Sequence, residues 1–263
     1  MRLPLPVFLC LAAFSTLLVA GCLGHAPTSI ADPEPGPSAQ DTIHRADSIP
    51  NKDTLRLAQE WAQAASEAAG GQNIVSVSRS ESLFVAVGEK GSIVRSSDGI
   101  VWSPVNSGTT EDLASVIRAG KKGAEKFFVV GEQGVLLISV DGTHWTSVEE
   151  AHHLITGTMG SRDYPSWTGI AWNGSFFLAV GTVGFLTGSG IPESRSTLLT
   201  STDGIHWNFV LKNALIYITS LVWDPALAGG EGRFVATVYR SVQGVVSYPY
   251  AYSVDGTSWT SEP

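Results

Sequence analysis

Apolar positions fall into three regimes along the chain. Leu3 to Ala20 is an apolar stretch broken by Pro4 and Pro6 and preceded by Arg2, and its length and flanks predict an export signal rather than a membrane span. Residues 22–52 carry Pro27, Pro33, Pro35, Pro37 and Pro50 among Ser, Asp and Thr; with almost no apolar periodicity, they predict a tether. In the segment 53–71, Leu55, Ala58, Trp61, Ala62, Ala65 and Ala68 recur at helical spacing, with Asp53 as N-cap and Gly70-Gly71 as stop. One short amphipathic helix is expected there, packing on the C-terminal domain through Leu55 and Trp61.

From residue 72 to 263 the period changes and the chain repeats itself. Four apolar runs open with Phe: Phe84-Val85-Ala86-Val87, Phe127-Phe128-Val129-Val130, Phe177-Leu178-Ala179-Val180 and Phe234-Val235-Ala236-Thr237. Each is followed by a turn of the form Ser-x-Asp-Gly-x-x-Trp, built on Asp98, Gly99 and Trp102, on Asp141, Gly142 and Trp145, on Asp203, Gly204 and Trp207, and on Asp255, Gly256 and Trp259. Another β-rich run precedes each Phe, as in Leu113 to Ile117 or Thr219 to Trp223, and Asn173-Gly174 joins two such runs with a type I′ hairpin signal.

Each unit therefore reads as a four-stranded antiparallel meander of roughly 35 to 55 residues, the size of a propeller blade. The units span about residues 73–106, 112–149, 166–210 and 217–263. Asp-Gly allows positive φ in a tight hairpin, the Asp carboxylate accepts nearby N–H groups, and the Trp wedges between sheets. The fold class is all-β: a propeller-like array of four four-stranded repeats, preceded by one helix. Phe84 to Asp98 and Phe127 to Asp141 each span 14 residues, against 26 from Phe177 to Asp203 and 21 from Phe234 to Asp255. The third and fourth repeats thus carry insertions.

Composition narrows the function. Net charge is −8, with 16 Lys plus Arg against 24 Asp plus Glu, which removes the electrostatic basis for a nucleic-acid partner. Hydrophobic residues make up 43% and charged residues 15%, enough apolar content for a sizeable core. The two cysteines, Cys10 and Cys22, lie one inside the signal and one at its end, so a processed chain has no internal disulfide.

Two resemblances add to this reading. Val19-Ala20-Gly21-Cys22 resembles the lipobox of bacterial lipoproteins, which implies cleavage after residue 21 and acylation of the Cys22 thiol with diacylglycerol and palmitate-like chains. Leu23 in the next position implies the outer rather than the inner membrane. The four turns and their apolar runs, from about Asn73 to Pro263, resemble the Asp-box, or BNR-like, β-propeller superfamily, which includes sialidases, lectin-like receptors and photosystem II assembly-factor-like proteins. The usual box has a residue between Asp and Gly; here Gly follows Asp directly, which leans towards the non-enzymatic branch. The resemblance makes the turn residues fold residues rather than catalytic or metal-binding ones.

Enzyme readings find little in the residues. Gly190-Ile191-Pro192-Glu193 lacks the Phe and Arg of the sialidase Phe-Arg-Ile-Pro motif. His144, His152, His153 and His206 lack the i, i+4 spacing of a zinc helix. The glycines of Gly181 to Gly190 have no P-loop Lys after them. No cofactor or metal is expected. Candidate ligand contacts are the insertion between Gly181 and Ser196 and the tyrosines Tyr239, Tyr248, Tyr250 and Tyr252; the plain alternative is that Tyr248 to Tyr252 line one strand face. The expectation is a lipid-anchored, non-enzymatic binding or assembly scaffold of the bacterial envelope with an envelope protein as partner. A glycan-binding lectin or sialidase-like hydrolase is the alternative. With four units visible, the array is expected to be a small ring, an open arc or part of a longer propeller, and open sheet edges favour self-association.

Overall fold

Strands dominate the described chain after residue 72, with successive side chains on opposite faces. The computed structural model describes residues 52–149, 165–186, 192–214, 217–225, 232–242, 245–247 and 250–261. The expected signal, Cys22, the tether, His152, His153 and Tyr248 lie outside them. Two compact units divide the chain, Met1–Gln63 and Ala64–Pro263. Helix α1 (Lys52–Ala68) runs from one to the other, and Asp53 sits in its first turn rather than before it. Beyond Ala68, Gly70 has φ +72° and Gly71 N–H bonds the Ser66 carbonyl at 2.8 Å, closing the last turn. Trp61 is half-buried and Ala65 buried; the side chain of Leu55 is outside the described set. No described helix is long and apolar enough to cross a membrane.

The second unit is a four-bladed β-propeller made of four small antiparallel sheets. The first blade is β1 (Ile74–Arg79), β2 (Phe84–Gly88), β3 (Ile93–Ser96) and β4 (Ser103–Val105). The second is β5 (Leu113–Ala119), β6 (Lys126–Gly131), β7 (Leu136–Ser139) and β8 (Thr146–Ser147). The third is β9 (Pro165–Trp172), β10 (Phe177–Leu186), β11 (Pro192–Ser201) and β12 (Asn208–Ala214). The fourth holds β13 (Tyr217–Asp224), β14 (Arg233–Val242), β15 (Val245–Ser247), β16 (Tyr250–Ser253) and β17 (Thr260–Ser261), with β15 paired to β14 alone. Each blade is a meander, and in each the register between first and second strands shifts once near the start of the first strand.

The second strands of the second and third blades are apolar on both faces because a neighbouring sheet lies on each. Val85, Val87 and Ile93 pack on Val116, Phe127 and Val129 of the second blade. Phe128, Val130 and Leu136 pack on Trp167, Phe177 and Leu199 of the third, with the Phe128 and Phe177 rings 4.6 Å apart. Leu178, Val180 and Leu198 pack on Leu221, Phe234 and Ala236 of the fourth. Burial of each such side chain contributes about 1.5–3 kcal/mol. Polar groups tie neighbours too: Val116 N–H donates to Ser76 Oγ at 3.0 Å, and Ile218 N–H to Ser196 Oγ at 2.9 Å. Among the described residues, no comparable core joins the fourth blade to the first.

Turn chemistry differs from the hairpin reading in one respect. A type I′ turn needs positive φ at both central residues, yet among the described non-glycine residues only Lys90 and Gln133 have it. Asn173 instead accepts the N–H groups of Ser175 and Phe176 on its Oδ1 at 2.9 Å, and Gly174 alone takes φ +96°. The side-chain amide has captured the turn and lengthened it.

Candidate functional site

Each blade has two ends with different chemistry. At the end where the second strand begins, the Ser-x-Asp-Gly-x-x-Trp segment links the third strand to the fourth. In the third blade, Ser201 Oγ accepts Gly204 N–H at 2.8 Å and donates to Asp203 Oδ1 at 3.1 Å. That Oδ1 accepts the N–H groups of Ile205 and His206 at 2.8 and 2.9 Å. The same pattern recurs around Asp98, Asp141 and Asp255. Trp102, Trp207 and Trp259 donate Nε1–H to the carbonyl of Gly99, Gly204 and Gly256 at 3.2, 3.1 and 3.1 Å. Trp145 does not: its Nε1 is buried without a partner. Trp145, Trp207 and Trp259 each join the core shared with the preceding blade.

These contacts set the electrostatics. The N–H of His144, then its ring and the N–H of Thr143, hold the Asp141 carboxyl well below the usual carboxylate range. The N–H groups of Ser258 and Thr257 do the same for Asp255, and those of Val101 and Ile100 for Asp98. At Asp203 partial burial pushes upwards, but the ring and N–H of His206 outweigh it. All four remain ionised acceptors whose Oδ1 is engaged by its own turn, an arrangement that builds loops.

A groove of about 730 Å³ runs along the turn of the second blade, lined by Ile138, Asp141, His144 and Glu149 and by Ile205 of the third blade. Its best-placed polar pair is already joined, His144 Nδ1 lying 2.7 Å from Asp141 Oδ2. His206 and Asp203 are joined in the same way, also at 2.7 Å. Among the described residues, no three His, Cys, Asp or Glu side chains are grouped to hold a metal ion.

At the opposite end, the second strand passes to the third, and here the insertions appear. In the first two blades this link is a short turn. In the third, β10 and β11 stay paired from Phe177↔Ser201 out to Leu186↔Pro192, while β9 accompanies them only as far as Val183↔Pro165 and β12 only as far as Ser196↔Ala214. In the fourth, β14 leaves β16 at Thr237↔Tyr250 and continues against β15 from Arg240↔Ser247 to Val242↔Val245. Among the described residues, the insertions are thus strand extensions. Two two-stranded ribbons project from adjacent blades at the same end, each reaching about 10 Å beyond the last three-stranded pairing at ~3.4 Å per residue.

Of the four tyrosines, Tyr250 and Tyr252 share one face of β16, and their partners Thr237 and Val235 place them on the same side of the fourth blade as Tyr239. The Arg233 guanidinium lies 4.9 Å from the Tyr252 ring centroid. This side faces away from the third blade, whose neighbours are Phe234, Ala236 and Ala251. The tyrosines therefore form a surface distinct from the ribbons.

No family model and no curated protein matches the chain. Among solved structures, it is similar to one described as YCF48 bound to D1 peptide, at 15% identity and a TM-score of 0.42, over 72% of this chain and 52% of that one. It is also similar to YCF48 from Cyanidioschyzon merolae, at 16% identity and a TM-score of 0.37, over 73% of this chain and 70% of that one. The chain spans about half the length of the first. At these values the likeness says nothing of function.

Proposed function

We propose that this protein is a non-enzymatic scaffold that binds a protein partner through the two ribbons of its third and fourth blades, and that an acylated Cys22 holds it at a bacterial envelope membrane. The ribbons carry the reading. Beyond Val183 no third strand is paired with β10 among the described residues, and before Ser196 none is paired with β11. Ribbon edges left in this way present backbone N–H and C=O groups, to which an extended segment of another protein adds as a strand. Two such ribbons side by side give one partner two points of attachment, which raises avidity without a deep pocket. The Asp carboxylates, the acidic groups the repeats mark out, are committed to their turns, so the site offers recognition and no acid or base.

The test is to replace residues 183–195 by a two-residue Asn-Gly turn, separately to shorten the β14–β15 ribbon, and to capture partners by crosslinking in the native cell. Loss of one crosslinked envelope protein from both trimmed chains, with the melting temperature of the blades kept, is the expected result. Capture undiminished in the doubly trimmed chain refutes the ribbon site, and glycan-array binding by the intact chain would move the reading to a lectin. Metabolic labelling with a palmitate analogue, lost in Cys22→Ala, tests the anchor.

A further inference from the structure

Large apolar side chains that stand in water are not scattered over this protein. Eight are exposed among the described residues, and five of these, Ile100, Val101, Val140, Ile205 and Val254, lie on the Ser-x-Asp-Gly-x-x-Trp turns, at 73, 68, 67, 39 and 56% exposure. Every blade thus puts at least one aliphatic side chain on the turn that links its third strand to its fourth. All four turns stand at one end of the propeller, opposite the ribbons. The position within the turn varies, before the Asp at Val140 and Val254 and after the Gly at Ile100 and Ile205, so the geometry of the turn does not itself demand an aliphatic residue.

The turns are built to enter an apolar boundary. A backbone N–H taken out of water needs a partner, and the turn carboxylate supplies one. Asp98 Oδ1 accepts the N–H groups of Ile100 and Val101 at 2.8 and 2.9 Å, and Asp203 Oδ1 accepts that of Ile205 at 2.8 Å. Charge also separates the two ends. Where first strands pass to second strands, beside the repeat turns, lie Arg79, Arg118, Lys121, Lys122, Lys126 and Arg233, with Arg118 Nη1 3.5 Å from the Val140 carbonyl. Against Glu81, Glu125, Asp224 and the four turn carboxylates, these cations leave that end close to neutral. At the ribbon end, the turns of the first two blades carry Glu89, Glu111, Asp112 and Glu132 against Lys90.

We propose that the end of the propeller bearing the four repeat turns lies on a phospholipid bilayer, its five aliphatic tips in the boundary between headgroups and acyl chains and its Arg and Lys side chains among the lipid phosphates. Spacing decides the occupant. Adjacent sheets pack about 10 Å apart, so the tips stand blade by blade and not as one patch. A folded partner would need a matching hollow for each, whereas a fluid interface admits them separately. Charge agrees, because an anionic leaflet repels the acidic turns at the ribbon end more than the near-neutral end. The inference rests on the membrane location proposed above: an anchor makes the contact intramolecular, so weak tips suffice to set orientation. The ribbons then face away from the bilayer, towards a partner.

Depth in the bilayer is the test. A fluorescent amino acid is placed at Val140, at Val254 or at Lys90 of the full chain, the protein is reconstituted into vesicles of phosphatidylethanolamine and phosphatidylglycerol, and quenching by brominated acyl chains is measured. Quenching at Val140 and Val254 and none at Lys90 is the expected result. Ile205→Asp, and Ile100→Asp combined with Val101→Asp, all at exposed positions, should each weaken quenching at Val254 several-fold. Lys90→Asp, a larger change of charge at the other end, should leave it unchanged. Circular dichroism and melting temperature matching the parent show that the variants fold. Equal quenching at both ends overturns the inference, as does tip quenching that the Asp variants leave intact, a chain that does not bind the vesicles, or a photocrosslinker at Val140 that captures one protein and no lipid in the native cell. Palmitate labelling without tip quenching removes this inference alone; tip quenching without that labelling removes the Cys22 anchor alone.

Discussion

Gly204→Ala tests the repeat turn at its tightest point. Gly204 has φ +76°, in the left-handed region, where a side chain costs roughly 1–2 kcal/mol. A Cβ built there would come within 2.2 Å of Cε1 and 2.9 Å of Cζ of Phe128 in the second blade. Phe128 cannot swing clear, because it is buried and its ring lies 4.6 Å from that of Phe177; overpacking of this kind costs about 1–3 kcal/mol more. The sum is ~2–5 kcal/mol, which for a unit of this size lowers the melting temperature by roughly 5–15 °C. Gly108→Ala is the matched control, since Gly108 has φ +79° but nothing within 4 Å of its added Cβ, leaving about 1–2 kcal/mol of backbone cost alone. Calorimetry of the three proteins separates the terms. Equal losses from the two variants would refute the claim that the turn glycine is fixed by contact with the preceding blade.

Two further outcomes rest on the same turns. Ser201→Ala removes the acceptor of the Gly204 N–H, a buried bond at 2.8 Å, and should cost about 1–3 kcal/mol in urea unfolding, whereas Ser→Ala at the exposed Ser103 should cost little. The four Asp carboxyls are all depressed, so the stability they lend is fully present above their unfolded value of about 3.9 and is lost as pH falls towards their lower folded values. Melting temperature followed from about pH 5 down to about pH 2 should drop, and the quadruple Asp→Asn variant, whose amide oxygens still accept the turn N–H groups, should drop less; identical profiles would contradict the assignment.

The blades were legible because one physical constraint recurs. A glycine that must meet the preceding blade, a carboxylate that must gather two N–H groups and an indole that must fill the inter-blade core leave the same string at Asp141, Asp203 and Asp255, and it recurs at Asp98 with the same carboxylate bonds. The ribbons were not. Thr182 to Leu186 and Pro192 to Ser196 contain Gly184, Pro192 and charged residues that argue against a strand one segment at a time, and only the pairing of the two makes them β. Asn173-Gly174 suggested a tighter turn than forms, because the dipeptide does not say whether the amide will take the next two N–H groups. Nothing in the string around Trp145 distinguishes it from the three tryptophans that bond their turn glycine.

Direction in the array also explains which differences between repeats matter. Within the second and third, both faces of the second strand are held to apolar residues by neighbours on either side, as at Val129 and Val130 or Leu178 and Ala179, so variation there costs core energy. The fourth keeps this only on the side facing the third blade, at Phe234 and Ala236, while on its other side the equivalent positions are Thr237, a buried residue whose hydroxyl accepts from Ser220 at 2.9 Å, and the exposed Tyr250. The Tyr250 hydroxyl lowers the cost of standing in water at that position. The residues that depart from the repeat therefore sort by physics into two sets, backbone extended beyond the sheet at one end and hydroxyl-bearing residues on one side of the fourth blade.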